Sequence, residues 1–348
     1  MKAYVLNAVG QLELMEVSKP ELKPGQVLLE VKAAGICGSD IPRIFVNGTY
    51  HFPTIPGHEF AGIVREVSEE SLLHLVGRRV GVFPLIPCMR CTPCEQKQYE
   101  MCMNYNYLGS RCDGGFAEYV AVPIRNLIEL PDEISYEAAA MLEPASVGIH
   151  ALQKIDLKRV KSAAVFGPGT IGLLTAQWLR VLGVSEICLV GTNECQRDLV
   201  SELGFEKFYN GKAADGVGEI LKETAGEGVD LAIDCVGAGS VVSDCVNVAK
   251  RGGEVLLVGN PHGDLLMDRD VYWKMLRRQL KLSGTWNSSF VPENAEDDWR
   301  RTLVAIKQGG LQPEKQITHK LAFDELHKGL EIMRDKTEFY NKIMIMWN

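Results

Sequence analysis

Between Ser162 and Leu179 the chain carries no charged residue, a run about long enough to cross a bilayer. The interior of the run argues against a span. Gly167-Pro168-Gly169 interrupts it; Ala163, Ala164, Val165 and Phe166 before the break form the short apolar block of a buried strand, and Ile171, Leu174, Trp178 and Leu182 after it recur at helical spacing. The pattern predicts strand, glycine turn, helix. The alternation continues with a strand over 187–190, a helical stretch to Leu203, a short strand near Phe208, a helix over 217–224, a strand over 231–235, a helix over 241–249, a strand over 255–258 and a last strand over 280–283. Strands alternating with helices imply right-handed crossovers and an α/β doubly wound parallel sheet, placed here over residues 150–286.

The segment before it has another character. Residues 27–31, 62–67, 79–82 and 116–122 are short β-rich runs between Pro and Gly clusters, with few convincing long helices, which predicts an irregular β-barrel-like domain over 1–149. Residues 299–308 and 323–334 read as helices and 342–347 as a terminal strand, a tail (287–348) expected to return to the first domain. No internal repeat or low-complexity segment is visible.

The glycine turn reads Gly167-x-Gly169-x-x-Gly172, opening a helix directly after a strand. The first glycine permits the tight turn, the second lets the backbone approach a pyrophosphate, and the third allows close packing of helix on strand. The helix start at Thr170 and Ile171 adds amide donors and a favourable dipole for phosphate. A lone pattern of this kind is weak evidence; its place in the train of strands and helices makes it a dinucleotide-binding loop.

Composition narrows the partners. A formal net charge of -8 and the lack of a long Lys or Arg run leave no basic field for a phosphate backbone, so nucleic acid is not expected as a partner. Residues 1–11 carry no apolar core of a signal peptide, and with the glycine-broken run excluded as a span the expectation is no membrane association and a reducing cytoplasm.

That compartment bears on the ten cysteines. Cys88, Cys91, Cys94 and Cys102 follow the spacing Cys-x2-Cys-x2-Cys-x7-Cys. Crowded thiolates repel unless a soft cation sits between them, and four satisfy tetrahedral Zn2+ with no position left open. Two disulfides are the alternative, and they require an oxidising compartment. A second group is dispersed: Cys37 in Gly35-Ile-Cys-Gly-Ser-Asp40, and His58 with Glu59 in Pro56-Gly-His-Glu59. Thiolate, imidazole and carboxylate suit a catalytic zinc with an open position, although spacing alone does not bring them together and isolated Cys and His are more often buried structural residues.

Gly57-His58-Glu59, the Cys37-Gly-Ser-Asp40 segment, the cysteine quartet, Asp113-Gly-Gly-Phe-Ala-Glu-Tyr119, Glu143-Pro144 and the glycine loop occur in the order seen in zinc-dependent medium-chain dehydrogenases. The chain resembles that family over nearly its whole length, and within it the polyol dehydrogenases. The resemblance implies a GroES-like catalytic domain joined to a Rossmann domain, and two zinc ions per chain. It implies Cys37, His58 and Glu143 as catalytic zinc ligands, Glu59 as an exchangeable fourth ligand or a carboxylate behind the ligands, and Ser39 as the hydroxyl that meets the substrate oxygen. The quartet would hold structural zinc. By itself Glu143 reads as an ordinary acid at a helix start beside Pro144, and Ser39 as a cap. The implied reaction is oxidation of a secondary hydroxyl of a polyol or polyol phosphate by NAD or NADP, in a homodimer or homotetramer whose last Rossmann strand (280–284) pairs across an axis.

Two positions depart from the family pattern. Pro42 stands where some members carry a histidine, so the outer proton relay needs another group or water. The second strand ends Val190-Gly191-Thr192-Asn193, with no acid where a ribose-binding carboxylate is expected; Glu194 follows, and Gly191, Thr192, Arg197 and Lys212 would tolerate a 2'-phosphate. A phosphorylated substrate also needs a cation, for which Arg43 and Arg111 are the candidates, with a solvated surface arginine as the plainer reading of each. Two other classes stay open: a non-catalytic dinucleotide-binding protein, and a thiol redox sensor using Cys112, Cys188, Cys195, Cys235 or Cys245.

Overall fold

The computed structural model describes residues 1–212, 215–261 and 263–347. The chain forms two compact units, one of Met1–Glu143, Ser289–Lys307 and Gln316–Asn348, the other of Pro144–Ser288 and Gln308–Lys315.

In the second unit six parallel strands lie in the order Lys207–Asn210, Glu186–Gly191, Ser162–Phe166, Val229–Asp234, Ala249–Leu257, Lys281–Gly284. Numbered along the chain this is 3-2-1-4-5-6, the order of a doubly wound dinucleotide-binding sheet, whose switch point falls beside its first strand. Val229–Asp234 is buried along its whole length, as a strand covered on both faces must be. The charge-free run resolves into the strand Ser162–Phe166 and the helix Thr170–Val181, and among the described residues no helix is long and apolar enough to cross a membrane. The helix Arg269–Arg278 has no counterpart in the sequence pattern. Val271, its only buried residue, and Met275 stand at helical spacing and pack on the core of this unit, a stripe of two set among charged residues and exposed Trp273 and Leu276.

The first unit is built on Gln26–Ile36, a strand that hydrogen-bonds to three others. Glu59–Val67 lies antiparallel along one edge, with register shifts; Tyr119–Pro123 pairs with the beginning of the strand and Lys342–Met346 with its end. The sheet extends through Arg79–Val82 to Leu127–Glu129 on one side and through Ile317–Ala322 on the other. A core of Tyr4, Leu29, Val31, Phe60, Val64, Phe116, Leu330 and Ile345 fills its concavity. Most of the tail is part of this unit, Gln308–Lys315 being counted with the other: Lys342–Met346 is a sheet strand, and Trp299 of the helix Asp298–Lys307 packs edge-on against Phe83. An 11-residue helix, Leu142–Leu152, follows the last of the short strands. Pro144 is tolerated there because a first-turn residue needs no N–H donor.

One feature of this sheet sets the site. In register Gly35 opposes Glu59 on one side and Met344 on the other, while Ile36 opposes Ile343. The end of the central strand, where Cys37 follows Ile36, is therefore where residues 59 and 342 also arrive.

Candidate functional site

The Cys37 sulfur, a ring nitrogen of His58 and a carboxylate oxygen of Glu59 all lie within 4.8 Å of one another, with His58 and Glu59 buried. The strand end presents Cys37, and the turn after it folds back on the sulfur: Ser39 Oγ donates to Cys37 Sγ at 3.3 Å, and the Ser39 amide approaches the same atom at 3.5 Å. Ser39 makes no side-chain cap on the short helix that follows. Asp40, fully buried, accepts from the Cys37 amide at 2.9 Å and from Arg43 Nη1 at 2.7 Å. Burial opposes its ionisation, but the charges of His58 and Arg43 and the Cys37 amide outweigh it and hold the carboxyl below its usual range.

His58 Nδ1 stands 3.4 Å from Asp40 Oδ1 yet has no hydrogen-bond partner, a buried polar atom left over. Burial would favour a neutral ring; Asp40 and Cys37 override it and raise the imidazole well above its ordinary pKa. A pocket of sulfur, nitrogen and carboxylate donors that pulls a proton onto its imidazole is one that calls for a cation, and this donor set fits zinc.

Glu143 is not a member of that trio. Its Oε1 accepts from the Tyr107 hydroxyl at 3.3 Å, and the Tyr107 ring lies 5.8 Å from that of His58. Burial pushes the Glu143 carboxyl up to about 7, with Glu59 adding to the push against His58 and Lys342. Glu59 itself is held by Lys342, whose Nζ pairs with Oε2 and donates to the Ile36 carbonyl at 3.1 Å. Asp40, Tyr107 and Lys342 were not singled out by the sequence reading. A lysine inside the otherwise apolar strand Lys342–Met346 was the one available signal for the last of them.

The quartet forms a separate centre. The four thiols of Cys88, Cys91, Cys94 and Cys102 are free and mutually within 4.8 Å, with Cys91 Sγ 3.5 Å from Cys94 Sγ and 3.8 Å from Cys102 Sγ. A tetrahedron with Zn–S of about 2.3 Å has an edge of about 3.8 Å, whereas a disulfide is about 2.05 Å. The geometry fits a metal cage and not two disulfides. Amides of Met103 and Cys94 pull Cys91 down to about 6, while burial and the neighbouring thiols push Cys94 up to about 12. Four such groups ionise together only around a cation.

In the second unit the glycine loop has the three expected properties. Gly167 has φ of 89°; a Cβ on Gly169 would meet nothing within 4 Å, leaving the backbone open to a ligand; a Cβ on Gly172 would lie 2.1 Å from the Gly167 carbonyl oxygen. Thr170 and Ile171 then begin the helix. At the end of the second strand, Gln196 Oε1 accepts from the Thr192 and Asn193 amides at 3.2 Å each, and a Cβ on Gly191 would lie 2.2 Å from that oxygen. Arg197 is engaged: it pairs with Glu194, donates to the Phe208 carbonyl at 3.2 Å and stacks over the Phe208 ring. Glu194 also accepts from Asn210 at 2.9 Å.

Neither arginine considered for a substrate phosphate is a free surface group. Arg43 is paired with Asp40; Arg111 lies between the rings of Tyr50 and Tyr105, at 4.0 and 4.3 Å from their centroids. Outside the two metal centres, burial raises the thiols of Cys112, Cys188, Cys235 and Cys245, which leaves them poorly reactive at neutral pH.

A half-buried thiol beside a buried imidazole and carboxylate on one sheet, a thiolate cage, and a doubly wound sheet with an open glycine loop together define a metal-dependent dehydrogenase. Comparison with known proteins agrees. The family described as alcohol dehydrogenase GroES-like domain matches residues 23–132, and that described as zinc-binding dehydrogenase matches residues 170–307. Galactitol 1-phosphate 5-dehydrogenase of Escherichia coli (strain K12) is 32% identical over 328 residues, covering 93% of this chain and 94% of that protein. Among solved structures, a zinc-binding dehydrogenase of Sinorhizobium meliloti 1021 bound to NADP superposes with a TM-score of 0.90 at 29% identity, covering 99% of this chain and 98% of the other. Galactitol-1-phosphate dehydrogenase from Escherichia coli gives 0.89 at 29% identity, covering 99% and 100%. The chain belongs to the zinc-binding alcohol dehydrogenase family and is an oxidoreductase.

Proposed function

We propose that the protein oxidises a secondary hydroxyl of a polyol or polyol phosphate, with galactitol 1-phosphate the leading substrate, and passes the hydride to NAD or NADP. The observation that carries this reading is the cluster of half-buried Cys37 with buried His58 and Glu59, the Ser39 hydroxyl lying 3.3 Å from the thiol sulfur. Cys37, His58 and Glu143 hold the catalytic zinc, Glu59 stands as the exchangeable carboxylate beside it, and the cysteine quartet holds the structural ion. Bound zinc supplies a Lewis acid that lowers the pKa of a hydroxyl, and a bound nicotinamide supplies the hydride acceptor.

The chain's own groups do the rest. Buried Asp40, neutralised by the partly exposed Arg43, fixes the His58 ring from behind. Ser39 Oγ, 3.3 Å from the Cys37 sulfur, would accept the substrate hydroxyl proton as it passes its own proton on. With Pro42 in place of an imidazole, that proton leaves through water. Gly167, Gly169 and Gly172 with the Thr170 and Ile171 amides receive the pyrophosphate. Gly191 and Thr192 offer no carboxylate to repel a 2'-phosphate, Glu194 being tied to Arg197 and Asn210, so NADP is at least accepted. This agrees with the NADP bound to the Sinorhizobium meliloti relative. With Arg43 paired to Asp40, Arg111 remains the cation offered to a substrate phosphate.

The same reading includes a homodimer or homotetramer. Among the described residues, Lys281–Gly284 pairs on one side only, and Leu282 and Trp286 are exposed beside the helix that exposes Trp273 and Leu276. A monomeric mass by light scattering would contradict it. For the reaction, reduced-cofactor formation is followed with galactitol 1-phosphate, sorbitol, xylitol and threonine against each cofactor. Turnover of the polyol phosphate above the others supports the substrate; threonine as the best substrate, or strict use of NAD, overturns the corresponding part.

A further inference from the structure

Lys342 is a buried charge that the proposed chemistry leaves unused. Its side chain is 3% exposed and that of Glu59 2%. Removing an ammonium from water is expensive, and the fold makes specific room for the pair: a Cβ on Gly35 would lie 2.3 Å from Glu59 Oε2 and 2.9 Å from Lys342 Cε. Three strands distant in sequence converge to build it, with Glu59 opposite Gly35 and Ile343 opposite Ile36. The Glu59 carboxylate also belongs to the metal-binding trio. One carboxylate, already paired with the ammonium, would therefore face a second cation once an ion is bound.

Resting on the metal-site reading above, we propose that Lys342 is a positioning residue that competes with the metal ion for Glu59, keeping this carboxylate off the ion so that one position stays open to the substrate hydroxyl. The charges support the arrangement. Cys37, Glu59 and Glu143 would bring three negative charges against the two of the ion, Asp40 and Arg43 cancel each other, and the Lys342 ammonium supplies the missing positive charge. Without Lys342 the carboxylate has only the ion as partner. The metal-free protein should then lose more stability than the loaded one, which by linkage means tighter metal binding.

The test compares Lys342→Met, Lys342→Arg, Glu59→Gln and the double variant Glu59→Gln/Lys342→Met, by chelator competition for zinc and by thermal melts of metal-free and loaded protein. The ion of the cysteine quartet serves as internal control. Lys342→Met should retain the second zinc more tightly, by on the order of tenfold, and its Tm deficit should be larger metal-free than loaded. Lys342→Arg, which keeps the charge, should retain zinc as the unaltered protein does. In the Glu59→Gln background, adding Lys342→Met should change retention by less than about twofold. Unchanged or weaker retention in Lys342→Met, or an effect that persists without the Glu59 carboxylate, overturns the proposal. The double variant carries no buried charge at the pair and keeps the comparison with Glu59→Gln decisive if the single variant does not fold. A single zinc in the unaltered protein sinks the metal-site reading as well; two zinc ions with an inert Lys342→Met sinks this inference alone.

Discussion

Nη1 of Arg43 donates to Oδ1 of Asp40 at 2.7 Å, and the Asp40 carboxylate is fully buried. The same oxygen stands 3.4 Å from His58 Nδ1, so the arginine supports the imidazole through the acid. Arg43→Ala leaves Asp40 with one cationic partner fewer. It should lower kcat/KM for free and phosphorylated polyols alike, by on the order of tenfold or more. A loss confined to the phosphorylated substrate would show instead that Arg43 binds the phosphate directly.

Arg111 separates those two roles. Its guanidinium is stacked between Tyr50 and Tyr105, which fixes it without neutralising it. Arg111→Ala should raise KM for the polyol phosphate by on the order of tenfold and leave the free polyol nearly unchanged. Steady-state kinetics on the matched pair of substrates reads this out; equal changes would remove Arg111 from the substrate site.

The glycine loop gives a pair of opposite outcomes. A Cβ on Gly172 would lie 2.1 Å from a backbone oxygen, so Gly172→Ala should lower Tm and abolish dinucleotide binding together. At Gly169 a Cβ meets nothing within 4 Å. Gly169→Ala should therefore keep its Tm and lose affinity for the dinucleotide, measured by calorimetry with the oxidised cofactor. Retained affinity would place the pyrophosphate elsewhere.

Metal analysis should find about two zinc ions per chain, and about one in Cys102→Ser. Cys94 and Cys102 are also core residues of a small cluster with Tyr99 and Val291, so losing the ion should loosen that cluster and lower Tm. Turnover per remaining folded chain should fall far less than in Cys37→Ser.

Asp230 makes stability depend on pH in a definite direction. Its Oδ2 accepts from the Lys161 and Ser162 amides at 3.0 and 2.9 Å and from Ser162 Oγ at 3.0 Å, and its other oxygen pairs with Lys250. Burial works against ionisation, but these partners prevail and hold the carboxyl below its usual range. A depressed folded-state pKa contributes stability above the unfolded value of about 3.9 and loses it as the pH falls through the folded value. Asp230→Asn should thus melt about 2 °C lower at neutral pH, with the gap narrowing as the pH is taken below about 4. A gap independent of pH would assign the loss to geometry rather than to charge.

The doubly wound sheet was legible from hydrophobic alternation because its inner strands, Ser162–Phe166 most clearly, are short apolar blocks bounded by turn residues. The helix Arg269–Arg278, with one buried side chain, offers only Val271 and Met275 as an apolar stripe and is missing from that alternation. The cysteine quartet and the glycine loop were legible for the same reason, since their partners lie within a few residues and spacing alone nearly dictates their geometry. Cys37, His58 and Glu59 could be grouped by donor chemistry, but nothing in their spacing brings them together, and Glu143 entered only through the family resemblance.

What the sequence could not contain is the register that joins Gln26–Ile36 to Glu59–Val67 and to Lys342–Met346. Strand pairing across hundreds of residues is decided by packing over the whole sheet, and a slip of one residue would turn each side chain to the other face. That register brings Lys342 onto Glu59 beside Cys37, and the fold of the turn at 37–43 spends the charge of Arg43 on Asp40. The sequence by itself determined which donors and which loop the protein has; only the tertiary structure decided which charges those donors face.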